Sequence, residues 1–444
     1  MSILGAVGLL VGIATLIILA YRGVHVLVVG IVSSLVVILT SGLDIWNTLV
    51  VGEGTGSFAS GAVNFISSYF MMFLLGAILG ELLSKSGYAK AIAYKLVDVF
   101  SAQRSILVVL LATVILSYGG VSVFVIVFAI YPIALYVFQE ADMPKRLIPG
   151  VVMLGAGTFT MTCLPGTPAL TNVIPTSYIG TTIWAAPVLG IILSLIMFVL
   201  GYWYLIREGK RMQAAGEHFV PGPNDVIEAI TEESRANAPA FLPAVLPIVI
   251  IFIINMVGTR LNLNSTYAVC IGLFAACVYI VLTAWRRVDN KKECINKGAT
   301  GSILALFNTA SVVGFGGVVK AAPAFTYFLN FALGLSFTPI VSATLAVAII
   351  AGITTSSSGT MAIFMEMLGA DYIAKGVNPQ VLHRLCCVAA GTIDSLPHGG
   401  PNVTFLMVTG LTYKEAYQYM FVITCVIPII TLVIGIGLAM LGVC

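Results

Sequence analysis

Asp394 and His398 stand four residues apart in the stretch GTIDSLPHGGPNVTF, which runs from Gly391 to Phe405. Histidine changes charge near neutral pH, so an Asp/His pair can take up and release a proton. Pro397, Gly399, Gly400 and Pro401 deny this stretch a regular helix, which places the pair and the nearby Asn402 at a break. Charged residues make up only 9% of the chain, which has four histidines in all. An ionisable group inside an apolar segment costs several kcal/mol unless it is paired, and is therefore a functional candidate. The competing reading is structural, with Asp394 capping the following helix and His398 bonding a carbonyl.

Three further clusters carry hydroxyls and glycines rather than charge. TTSSSGT (Thr354 to Thr360) holds Ser356, Ser357, Ser358 and Gly359, and SYGGVS (Ser117 to Ser122) holds Gly119, Gly120 and Ser122. CLPGTP (Cys163 to Pro168) is a second proline-glycine knot, with Thr162 and Thr167 and no ionisable group. Small residues let a ligand approach the backbone, and helix N-termini at such breaks suit a carboxylate. Hydroxyls and freed carbonyls also suit a cation. A Gly/Ser cluster taken alone also serves close helix packing. Lys320, His383 and Arg384 fall near the outer ends of their segments and read as interface residues, with Arg384 able to attract an anion. Glu81 and Glu366 are weaker candidates, and Asp44 and Glu53 read as solvated loop residues.

The elements that must hold these groups are membrane helices. The 444 residues are 59% hydrophobic with a mean hydropathy of +1.06, whereas a soluble domain carries roughly a quarter charged residues. Runs such as APVLGIILSLIMFVLGYWYL approach the roughly 20 apolar residues that span hydrocarbon. They are continuous rather than alternating, which excludes a β-barrel. The first run, Ile3 to Ala20, lacks a basic leader and a cleavage site and reads as a span. The net charge of +3 lies in loops between spans and does not suggest nucleic acid. The eight cysteines form no CxxC or Cys/His pattern, so neither redox nor zinc chemistry is expected.

The hydrophilic stretch Arg207 to Asn237 divides the chain into comparable halves. Apolar segments fall near 2–20, 24–40, 66–84, 104–137, 147–180 and 183–206 in the first. In the second they fall near 241–257, 266–286, 299–318, 336–374, 380–411 and 417–443. The fourth segment of each half is long and broken by a small polar cluster, and the fifth is broken by a proline-glycine knot. In the fifth segments Met143-Pro144, Gly157-Thr158 and CLPGTP match Asn378-Pro379, Gly391-Thr392 and SLPHGGP in order and nearly in spacing, which makes an internal repeat. With each fourth segment a re-entrant hairpin, 17 of the 21 Lys and Arg lie in loops on one side. That side reads as cytoplasmic and both termini as outside. The halves then have inverted topology: 1–206 and 241–444 as repeats, with 207–240 as a cytoplasmic linker. The expected fold is all-α and polytopic, with about 10 spanning helices, two re-entrant hairpins and two broken helices.

The runs SSSGTMAIFMEMLG, NPQVLHR and GTIDSLPHGGPNVTFLMVTGLTYKEAYQYM resemble the C-terminal half of the gluconate permease (GntP) family of the ion transporter superfamily. The SLPHGGP…GLTYKEAY form is most similar to D-β-hydroxybutyrate permease-like members. LLGAILGELLSKSGYAKAIA (Leu74 to Ala93) resembles the family's first-half signature. The resemblance implies a proton-coupled importer of small hydroxylated or short-chain carboxylates in the bacterial inner membrane, working as a homodimer by an elevator motion. No cofactor is expected beyond H⁺ as coupling ion, with Na⁺ as the alternative. Motif match gives Gly120, Ser122, Thr167, Ser356, Ser357, Ser358, Gly359, His398 and Asn402 as substrate-binding candidates, and Asp394 with His398 for proton coupling. Gluconate-type members differ around the SLPHGGP knot, which favours a smaller, less hydroxylated acid. An ion channel would need a ring of selecting groups that two unequal halves do not offer. An enzyme would have only a serine cluster and His398 to work with.

Overall fold

A computed structural model describes residues 3–51, 56–100, 104–118, 121–223, 225, 227, 232–261, 263, 265–327 and 337–444. Among these residues the structure is all-helical, with no strand. The first half contains α1 (Ile3–Tyr21), α2 (Val26–Ser41), α3 (Phe58–Lys85), α4 (Tyr88–Phe100), α5 (Ser105–Tyr118) and α6 (Val123–Glu140). It continues with α7 (Ile148–Ala156), α8 (Phe159–Thr162), α9 (Leu170–Ile179) and α10 (Pro187–Ala214). A short α11 (Glu232–Ala236) follows in the linker. The second half contains α12 (Phe241–Arg260), α13 (Ser265–Ala284), α14 (Lys291–Ala321), α15 (Pro339–Thr354), α16 (Ser357–Phe364) and α17 (Ala370–Ala374). It ends with α18 (Pro379–Ala390), α19 (Gly400–Thr409) and α20 (Tyr413–Met440). Seven of the described helices are long and apolar enough to cross a membrane, and α1, α2 and α15 are apolar but shorter.

The breaks fall where the proline-glycine knots stand. One helix ends at Ala156 and restarts at Leu170 after the single turn of α8, and another ends at Ala390 and restarts at Gly400. Gly157 and Gly391, each from a Gly-Thr pair, cap the ends of α7 and α18. The packing repeats between the halves. The first arm α5 lies on α7 and α15 lies on α18, while α6 reaches across to α19 and α16 to α9. Each broken helix is therefore gripped by its own half on one arm and by the other half on its second arm. The long helices α3 and α14 pack along each other through glycines. A Cβ on Gly317 would stand 2.3 Å from the Ser57 carbonyl oxygen, and one on Gly314 2.8 Å from that of Phe58. Without hydrocarbon to expel, membrane helices gain from this close approach of backbones.

One feature differs from the sequence expectations. Residues 85–104, read as a loop, contain α4, an amphipathic helix against α6 and α12 that buries Ile92, Tyr94 and most of Lys90. Its lysines interrupt the apolar run, so only helical periodicity reveals it. The linker is tied to the bundle by ion pairs and hydrogen bonds. Glu217 pairs with Arg146, and Asp142 accepts from the Phe219 N–H at 3.0 Å. Asp225 pairs with Lys145 at 2.7 Å, both side chains 5% exposed or less. The Tyr131 hydroxyl lies 2.6 Å from Asp225 Oδ1 and 3.1 Å from the Thr409 carbonyl. The strap thus reaches the ends of α6, α7 and α19 together.

Candidate functional site

At the second break Asn402 is the third residue of α19 and is fully buried. Its Nδ2 donates to the Ser395 and Leu396 carbonyls at 2.7 and 3.0 Å. From α20 the Tyr417 hydroxyl donates to Ser395 O at 3.0 Å, and the Tyr413 hydroxyl to Pro397 O at 2.8 Å. Carbonyls freed by the break are thus satisfied by protein, as lipid contact would not allow. Pro401 in the first turn needs no N–H donor there, so the restart costs nothing in backbone bonding.

What the break leaves open is as informative. His398 is 1% exposed and lies edge-on to the Phe315 ring, with centroids 6.2 Å apart. It faces the Gly352 backbone of α15, but neither ring nitrogen meets hydrogen-bond geometry with any group among the described residues. Asn402 Oδ1 likewise has no donor. Buried polar atoms are almost always paired, so three such atoms turned to no protein group at one break are suited to bind a ligand. Asp394 stays partly exposed inside this surround, accepting from the Ser395 hydroxyl at 3.0 Å and facing the side chain of Ser357.

Ser357 belongs to the tip between α15 and α16. Ser356 caps α16, its Oγ accepting from the Gly359 N–H at 3.1 Å. Thr355 turns the chain in a left-handed conformation at φ 47° and ψ 35°. Ser358 and Gly359 are partly exposed at the same tip. A Cβ on Gly352 would touch Ile393, so tip and break are in contact. The structure therefore brings Ser357, Asp394, His398 and Asn402 into one neighbourhood, with Ser356, Ser358 and Gly359 adjoining.

The first-half candidates divide. Gly120, with Gly119, lies outside the described residues, as does Glu53. Ser122 precedes α6 and forms no side-chain cap bond. Phe124, two residues on, approaches Gly400 at the second break. Thr167 belongs to a different, closed cluster. Its carbonyl accepts from Asn172 Nδ2 at 2.9 Å, and that nitrogen also donates to Ile183 O at 2.9 Å. Asn172 Oδ1 accepts from Arg384 Nη1 at 3.0 Å and lies 3.1 Å from His383 Nε2, while His383 Nδ1 lies 2.7 Å from the Thr181 hydroxyl. An arginine only donates, which fixes the orientation of the Asn172 amide.

His383 and Arg384 are therefore not interface residues, as their sequence position suggested. Both are fully buried. Arg384 donates to Ala185 O from Nε at 3.1 Å and from Nη2 at 2.8 Å, to Thr162 O at 3.2 Å and to Ile183 O at 3.4 Å. Its partners come from residues about two hundred positions away, which no local reading anticipates. Asn172 was missed as well. Lys320 and Glu366 are exposed, and Glu81 pairs with Lys297 at 3.5 Å.

The family model for the GntP family permease matches residues 4–441. A Bacillus subtilis (strain 168) protein described as the uncharacterized transporter YxjC is 36% identical over 455 aligned positions, covering 94% of this chain and 95% of that one. A Haemophilus influenzae protein described as an uncharacterized transporter is 29% identical over 206 residues, 46% of this chain and 45% of its own. Both relatives are described as transporters, and the family is one of permeases rather than enzymes. With its many apolar helices and its breaks facing one another inside them, the chain belongs to the GntP permease family and is a membrane transporter.

Proposed function

We propose that this permease is a proton symporter for a small hydroxy monocarboxylate, 3-hydroxybutyrate-like or gluconate-like. The observation that carries this reading is the open set at the second break: both nitrogens of His398 and Asn402 Oδ1, buried and unpartnered beside Asp394. His398 supplies an N–H to the substrate carboxylate, Asn402 Oδ1 accepts from a hydroxyl, and Ser356, Ser357 and Ser358 with Gly359 close the tip over it. Asp394 and His398 hold and release the proton, a carboxylate and an imidazole being groups that can exchange one. Gly120 and Ser122 complete the candidate set from the first half, while Thr167 belongs to the closed cluster around Asn172. The alternation of α5–α7 and α15–α18 with α6–α19 and α16–α9 supports two repeats of inverted topology. An elevator motion, a homodimer, a bacterial inner-membrane location and external termini rest on the resemblance and on loop charge.

Uptake into proteoliposomes tests this. A pH gradient, acid outside, drives accumulation of D-3-hydroxybutyrate in the wild type. Asp394→Asn and His398→Ala each abolish it, and full retention of pH-driven uptake in both sinks the assignment. Coupling to Na⁺ is the second reading, favoured by the oxygen atoms of Asp394, Ser357 and Asn402 gathered at one place. Accumulation driven by a Na⁺ gradient with no pH gradient decides for it.

A further inference from the structure

We propose that Arg384 is a positioning residue that holds the first-half break in one fixed shape, so that recognition of the ligand falls to the second break. Arg384 lies on α18 in the second half, yet every acceptor it uses belongs to the first: Thr162 O, Asn172 Oδ1, Ile183 O and Ala185 O. All its nitrogens are engaged, so none is left to grip an anion. None of the acceptors is a carboxylate. A buried cation among neutral oxygens is costly, and what the planar fork supplies here is geometry, fixing three separate stretches of chain at once.

Asn172 is saturated in the same way, with two donations from Nδ2 and two acceptances at Oδ1. Helix α10 seals the cluster, since a Cβ on Gly190 would stand 2.5 Å from Cys163 O and 3.2 Å from Arg384 Nε. Asn402 holds the same place in α19 that Asn172 holds in α9, third from the start. Each asparagine braces its own break through Nδ2 and has a histidine nearby. In the first half the remaining atoms are filled, while in the second Asn402 Oδ1 and both His398 nitrogens are open. The break in the first half is a lock, and the break in the second is a receptor.

Cys163 sits within the locked break and Cys425 in α20, both 0% exposed. The purified protein is treated with N-ethylmaleimide and labelling of each cysteine is followed by peptide mass spectrometry. Arg384→Lys keeps the charge but cannot span the acceptors, so labelling of Cys163 is expected to rise at least tenfold with Cys425 unchanged. Asn172→Asp, which keeps the acceptor for Arg384 and loses both donations, gives the same selective rise should the lysine variant not fold. Unchanged protection of Cys163, or a parallel rise at Cys425, overturns the lock. The proposal meets the transport reading in one measurement, uptake of D-3-hydroxybutyrate. Arg384→Lys lowers the maximal rate tenfold with KM within twofold, whereas a tenfold rise in KM at unchanged rate would mean that Arg384 touches the ligand and overturns it. Absence of uptake by the wild type counts against the substrate assignment, and thiol labelling then decides the lock.

Discussion

Asn402 donates to Ser395 O at 2.7 Å, closing the loop of the second break back onto the first turn of the helix that follows it. The same amide nitrogen reaches Leu396 O at 3.0 Å, while Oδ1 stays open. These two ends of one side chain separate architecture from recognition. Asn402→Ala removes two buried hydrogen bonds, while Ser395 O keeps its donor Tyr417 and Leu396 O keeps the Gly399 N–H. The loss costs about 1–3 kcal/mol of stability, read as a lowered unfolding midpoint in detergent. Uptake is lost as well. Asn402→Asp keeps an acceptor but loses both donations. A wild-type midpoint for the alanine variant would show that the brace carries no weight.

How legible this was follows from distance along the chain. The proline-glycine knots announced the two breaks, because a helix stop is written in local residues, whereas the ends of α7 and α18 at the Gly-Thr pairs were seen only as matched features of a repeat. Asp394 and His398 were visible for the same reason, as charges in an apolar run. Arg384 was not, since its acceptors lie between Thr162 and Ala185 and its own neighbours, NPQVLHR, look like the end of a segment. The equivalence of Asn172 and Asn402 was hidden by unequal loops, 163–169 against 391–399. It emerges only once the restarting helices are counted from their first residue. Helix α4 was lost to its lysines, which break the apolar run but not the helical period.

Lys145 and Asp225 form a buried ion pair at 2.7 Å that ties the linker to the start of α7. Removing one partner leaves a charge without its counter-ion, so Lys145→Met or Asp225→Leu alone destabilises by about 3–5 kcal/mol. The double replacement loses much less, because no charge remains to be stranded. Denaturant unfolding of the four proteins gives the coupling directly. Additive losses would show that the two side chains act independently.

The outer edge of the same strap carries a pH response. His218 Nδ1 lies 2.6 Å from Asp142 Oδ2, and the Phe219 N–H donates to Oδ1 at 3.0 Å. The His218 bond first, then the Phe219 bond, holds the Asp142 carboxyl below its ordinary value. A lowered folded value means that the contribution is present above the unfolded pKa, about 3.9. It is lost as pH falls through the folded value. Both side chains are more than half exposed, at 68% and 58%, so the effect is local. Hydrogen exchange at Phe219, corrected for its intrinsic pH dependence, is expected to be slow at neutral pH and fast well below the ordinary carboxylate range. Asp142→Asn, which cannot titrate, removes that dependence, and a pH profile unchanged by the substitution would refute the assignment.

Thr355 holds the tip between α15 and α16 at φ 47°, a region that β-branched residues rarely enter. The left-handed conformation costs an L-residue about 1–2 kcal/mol, and glycine avoids that cost at an entropic loss of roughly 0.5–1 kcal/mol. Thr355→Gly is therefore expected to leave stability level or raise it by up to about 1 kcal/mol. Thr355→Val keeps the strain and brings no gain. Transport should move the other way. The next residue, Ser356, caps α16, and Ser357 faces Asp394, so a slacker turn presents both less accurately. The maximal uptake rate of Thr355→Gly should fall several-fold while its melting point holds. A lowered melting point would show that the turn is not strained, and an undiminished rate would show that the strain has no part in transport.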